Sequence, residues 1–156
     1  MTMQFNLDSD RTTTRQLKNS LELAIHDASL AIDENQMSQG YIVFDQVQAK
    51  QNFDESFLYH LNLQKVNDTI YQPSSNSFYQ NSFEIKLLHY IDDRTPDPNN
   101  PGEYITFPFT YTNATYDIVD VLNGPSIVAV VETVSPRYFR GSGNTIRQAS
   151  VYEYLR

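Results

Sequence analysis

Four carboxylates fall within one short stretch, "DDRTPDPNNPGE", and they are the residues best placed to do chemistry. Asp92, Asp93, Asp97 and Glu103 could offer oxygens to calcium, a hard cation that takes about six to eight oxygen ligands. Their spacing departs from that of an EF-hand loop, and Pro96, Pro98 and Pro101 interrupt the run. The simpler expectation is a solvated, proline-stiffened loop. The histidines, His26, His60 and His89, are scattered and have no second ligand type at helical spacing, so no zinc pattern forms. No Gly-x-Ser-x-Gly elbow, phosphate-cradling glycine loop or dinucleotide fingerprint occurs, and five glycines leave little room for one. The expectation is therefore no catalytic residue, no cofactor and no metal ligand.

Two weaker signals remain. "NDT" at Asn67 and "NAT" at Asn113 match the glycosylation pattern, which is short and common by chance. The 11 tyrosines and 9 phenylalanines could stack on sugars, but tryptophan is absent and most of these rings fall on alternating strand positions. Core packing explains them more simply.

The elements that must position these residues follow from periodicity. Leu17, Leu21, Ala24, Ile25, Ala28 and Ile32 recur at intervals of three and four, which predicts a helix over 10–35 with one apolar stripe. Leu23 and Leu30 flank it. Asp10 or a threonine at 12 to 14 is expected to cap its start, and Gly40 to close the region in a left-handed turn. Tyr41–Phe44 reads as a short strand or turn, and Asp45 as the N-cap of a second helix over 45–62. That helix carries Ala49, Phe53, Phe57 and Leu61 on one face, with Leu58 beside them.

From residue 67 the period changes to two. "SFEIKLLHYID" places Phe83, Ile85, Leu87, His89 and Ile91 on one side, and "EYITFPFTYTN" does the same for Ile105, Phe107, Phe109 and Tyr111. Pro108 marks the latter as an edge strand. "IVAVVETV" is a buried strand by its aliphatic content, "TIRQASVYEYL" a closing strand, and "RGSGN" at 140 to 144 a hairpin tip between them. The expected architecture is a single α+β domain over 1–156, with two N-terminal helices packed on a mostly antiparallel sheet of four or five strands.

The formal net charge of −8 argues against a phosphate backbone or an anionic membrane surface as partner. The absence of cysteine excludes disulfides, thiolate metal sites and a cysteine nucleophile, and is compatible with either side of a membrane. The longest aliphatic run, Ile127–Val131, is far short of the roughly 20 apolar residues of a membrane span.

Two segments, "QLKNSLELAIHDASLAIDE" with "GYIVFDQVQAKQNFDESFLYHLNL", and "GPSIVAVVETVSPRYFRGSGNTIRQASVYE", resemble the extracytoplasmic part of bacterial pilus-assembly proteins of the tight-adherence, TadE/TadG-like kind. The closest pieces are "HDASLAID" at His26–Asp33, "AKQNFDESF" at Ala49–Phe57 and "VAVVETVSPRYF" at Val128–Phe139, while residues 64 to 120 have no counterpart. The resemblance implies a pilin-like fold and a membrane helix that would lie just before "FNLDSDRTTTRQLK" and is not in this chain. It also implies an extracytoplasmic assembly component that acts by contact with other pilus or envelope proteins and has no active site. Three alternatives stand beside it: an extracytoplasmic module binding sugar or calcium through the 92–103 loop or exposed aromatics, an enzyme using scattered Asp, Glu and Tyr residues, and a phage structural protein.

Overall fold

The computed structural model describes residues 2–136 and 143–154, with side chains from Ser9 onward. Three helices come first: α1 (Thr2–Ser29), α2 (Glu34–Ser38) and α3 (Gln46–Leu61). Seven strands follow: β1 (Leu63–Lys65), β2 (Ile70–Pro73), β3 (Phe83–Ile91), β4 (Phe109–Asn113), β5 (Ile118–Leu122), β6 (Ser126–Val134) and β7 (Thr145–Glu153). Five form one sheet in the order β1-β2-β3-β6-β7, every pair antiparallel, and β4 and β5 form a separate hairpin. The expected α+β class holds. The sequence reading missed α2, β1, β2 and β5, whose short lengths carry little periodicity.

The two main helices form for the reasons their spacing gave, with different limits. In α1, Leu17, Leu21, Ala24, Ile25 and Ala28 are buried, and the small residues let the helix lie close against β6, β7 and α3. The helix extends N-terminally past Asp10 and the threonines, so none of them caps it. Asp10 instead ties the helix to the sheet. Its carboxylate accepts hydrogen bonds from the Ser135 hydroxyl and from Asn144 Nδ2 at 2.7 Å, while the Ser9 hydroxyl donates to the Pro136 carbonyl at 2.8 Å. The C-terminal limit is also corrected, because Ile32 leaves the helical stripe. It pairs in extended form with Phe44, held by Asp33 N to Val43 O at 2.8 Å and Asp45 N to Ala31 O at 2.9 Å. A two-stranded bridge gives these backbone groups partners that another helical turn would have denied to residues 43 and 45.

Gly40 has φ +91° and reverses the chain after α2, as its type allows. Asp45 caps α3 as expected, its carboxylate accepting from Gln48 N at 3.1 Å. Ala49, Phe53, Phe57 and Leu61 are all buried. Phe57 sits at the centre of an aromatic group, 5.3 Å from Phe53, 5.4 Å from Tyr71 and 6.0 Å from Phe83 between ring centroids.

The strand β3 overturns one expected face. Its register against β6 shifts between Ile85 and Leu87, so Lys86 is an extra residue. A one-residue insertion flips every later side chain to the other side of the sheet. Phe83 and Ile85 therefore join Leu88 and Tyr90 under the helices, whereas Leu87 and Ile91 pack on the opposite face. That opposite face is covered by the β4–β5 hairpin, with Tyr111 and Leu122 buried against Ile91, Ile105 and Val128. Ile105, Phe107, Phe109 and Tyr111 do share a side, but the strand begins only after Pro108. Most of the expected tip at 140 to 144 lies outside the described residues. At its described end, a Cβ on Gly143 would come within 2.3 Å of the Ser135 carbonyl, so only glycine fits there. No described helix is long and apolar enough to cross a membrane.

Candidate functional site

The acidic loop was the leading candidate, and the fold disperses it. Asp92 follows β3 and is buried, its two oxygens accepting from Phe44 N at 3.1 Å and Arg94 N at 2.9 Å. Asp93 Oδ2 accepts from Ile42 N at 2.7 Å. Asp97 is turned to Asn99 N and Asn100 Nδ2, both at 2.9 Å. The three aspartates thus hold backbone turns, each in its own place. No group of three or more metal-ligating side chains converges among the described residues. Burial pushes the Asp92 carboxyl above its ordinary range, and the backbone amides only partly offset that. Beside this loop Arg94 stacks on Tyr41 and Tyr104, 4.0 and 5.0 Å from the ring centroids, and donates from Nε to Gln36 Oε1 at 3.2 Å.

A second constellation was not read from the sequence. Asp54, buried on α3, accepts from Lys50 Nζ at 2.5 Å, from Lys65 Nζ at 2.9 Å and from the Tyr71 hydroxyl. Burial opposes its ionisation, but the hydrogen bonds from Lys50, Tyr71 and Lys65 outweigh it and hold its pKa below the ordinary 3.8. The Tyr71 hydroxyl is pushed far up, first by burial and then by the charge it donates to. Both groups are therefore fixed in the protonation states they already have at neutral pH. A carboxylate saturated by two ammonium groups and a phenol is a weak proton acceptor. What the cluster does is clamp α3 to the β1–β2 hairpin. The signal that could have found part of it is the spacing of Lys50 and Asp54, four apart on one helix.

Tyr90 lies beside this cluster, in a groove of about 470 Å3 that Lys50, Asp54 and Lys65 also line. Its buried hydroxyl has no hydrogen-bond partner among the described residues, and burial, then the Asp54 charge, pushes its pKa up to about 12.

The histidines remain apart, as their positions implied. His26 stands edge-on to Tyr152, His60 lies 2.7 Å from the Ser56 carbonyl, and His89 Nδ1 lies 3.0 Å from the Tyr111 hydroxyl. Asn67 sits in the β1–β2 turn and Asn113 ends β4, where their side-chain oxygens accept backbone N–H groups of the turns. Comparison with known proteins found no matching family model, no matching curated protein and no matching solved structure.

Proposed function

We propose that this chain is the extracytoplasmic, contact-making part of a membrane-anchored protein of a bacterial pilus or related envelope machine, similar to the tight-adherence assembly proteins. The observation that carries the reading is α1. It is one helix of 28 residues, about 42 Å long at 1.5 Å per residue, laid along the sheet over β6 and β7. Its buried side runs from Ser9 through Leu17, Leu21 and Ala24 to Ala28. In this reading a membrane helix precedes Thr2 and continues into α1, which gives a pilin-like arrangement of spine and sheet. Function is then recognition between surfaces. The Asp54 cluster and the acidic loop stabilise the module that presents them.

The test is the sequence of the native gene upstream of the codon for Gln4. About 20 apolar codons preceded by basic ones are expected. A native start at Met1 or Met3 would remove the anchor and, with it, the family reading.

A further inference from the structure

The two edges of the five-stranded sheet are built differently. The outer strand on one side, β1, has three residues and carries Lys65. A short, charged edge is a poor template for another strand. The outer strand on the other side, β7, has nine residues, no proline and no lysine, and its register with β6 runs unbroken from Ser126↔Glu153 to Val134↔Thr145. At about 3.3 Å per residue this edge is roughly 30 Å long. No residue of β7 is buried, whereas β6 beside it is buried at seven of its nine positions.

The direction of the free backbone groups follows from the ladder. Ser135 N donates to the Asn144 carbonyl and Tyr154 N to the Pro125 carbonyl, one at each end of the same register. In an antiparallel pair, alternate residues exchange both bonds with one neighbour. Even-numbered residues of β7 therefore face β6. Thr145, Arg147, Ala149, Val151 and Glu153 turn their N–H and C=O groups outward, and among the described strands none pairs with them. Alongside this edge runs a groove of about 680 Å3 between α1 and β7, lined by Asn19, Glu22, Leu23, Ile25, His26 and Tyr152 among others. Leu23 is 45% exposed within it.

We propose that β7 is a docking edge that takes up an extended, basic strand of another protein chain by strand addition. The backbone pattern sets the conformation of the occupant, because a row of outward N–H and C=O groups is satisfied along its length only by another strand. The charges set its composition. Arg147 is already neutralised by Glu132, with its guanidinium 3.0 Å from Oε2. Glu22 stands in the groove on the α1 side and Glu153 at the end of the edge on the hairpin side, on a chain of net charge −8. A second copy would bring its own net charge of −8 against this one, which disfavours it at low ionic strength. The added strand carries apolar side chains over Leu23 and Tyr152 on the α1 side, and lysine or arginine on the other side, opposite Glu153. The inference names the partner of the contact function proposed above, but rests on the edge and not on the anchor.

The probe is a capped eight-residue peptide alternating valine and lysine, with a valine–glutamate peptide as control. Amide hydrogen exchange of the full chain is followed by NMR. The valine–lysine peptide should slow exchange at Arg147, Ala149 and Val151 tenfold or more and leave the β6-facing amides unchanged, and the acidic control should do neither. Ala149→Pro removes an outward donor without touching the β6 ladder, so it should abolish the effect while the circular dichroism spectrum is retained. If that variant fails to fold, Glu22→Lys with Glu153→Lys should reverse the peptide preference. No protection at the odd-numbered amides, or equal protection by both peptides, would overturn the proposal. Slow exchange at those amides in the peptide-free chain, with a dimer by light scattering, would overturn it in favour of a second copy. None of these outcomes depends on the sequence upstream of Gln4, so the anchor and the edge fail separately.

Discussion

The sheet wears a heavy cover on one face and a light one on the other. Under the helices, Phe53, Phe57, Tyr71 and Phe83 are fully buried together with Leu17, Leu21 and Ile25. Under the β4–β5 hairpin the buried group is Ile91, Ile105, Tyr111, Leu122 and Val128. Hairpins of two strands are marginal alone, so β4 and β5 depend on that small patch, whereas α1 and α3 also pack on each other. Two aspartates, Asp54 and Asp92, are buried among the described residues, and they are solvated in opposite ways. Asp54 has two ammonium groups and the Tyr71 hydroxyl, while Asp92 has backbone amides from Phe44 and Arg94 and the Thr95 side chain. Opposite charge wins against burial in the first case, and burial wins in the second.

The largest effect that tests this contrast is in the cores. Phe57→Ala should cost about 3–5 kcal/mol and lower the urea midpoint of the whole chain. Leu122→Ala should cost about 2–3 kcal/mol, with the β4–β5 amides opening in hydrogen exchange before the rest. If the hairpin and sheet amides of the Leu122 variant exchange together, the two covers are one cooperative unit and the contrast fails.

The aspartates come next. Asp54→Asn should cost about 2 kcal/mol at neutral pH, the scale of hydrogen bonds to a charged group. The sign of its pH dependence is set by a folded pKa below 3.8: the stabilisation is present above 3.8 and is lost as pH falls through the folded value. For Asp92 the folded pKa is raised, so its contribution grows as pH falls from that raised value toward 3.8 and is lost as pH rises through it. Urea midpoints measured across acid pH should therefore flatten below 3.8 in Asp54→Asn and above 3.8 in Asp92→Asn. The same window for both would dissolve the distinction between them.

The smallest effect concerns Tyr90, whose ring packs under the helices while its hydroxyl lacks a partner among the described residues. Tyr90→Phe should leave the urea midpoint unchanged or raise stability by up to about 1 kcal/mol. A clear loss would mean that an ordered water satisfies the hydroxyl in the groove beside Lys50 and Asp54.

How much of this was legible can be judged element by element. The α3 stripe, the Asp45 cap, the Gly40 turn and the buried β6 run depend on residue type and local spacing, and all were read correctly. Ile32 was misplaced because its helical spacing was sound but its backbone found a better partner in Phe44, twelve residues away. Leu87, His89 and Ile91 were misplaced because a bulge at Lys86 leaves no mark on the alternation itself. The candidate loop at 92–103 was found as a loop. Whether its carboxylates converged was a matter of where the 42–44 backbone lay.

By itself the sequence determined the class, the two main helices, the long strands and the want of any recognised catalytic or metal-binding motif, since each follows from local period and composition. Only the tertiary structure decided which face each strand residue takes after the bulge, which cations meet Asp54, and which edge of the sheet is left open. Those outcomes depend on contacts between residues far apart in the chain. Asp10 with Asn144, Asp54 with Tyr71 and Asp92 with Phe44 are such pairs, and no local pattern encodes them.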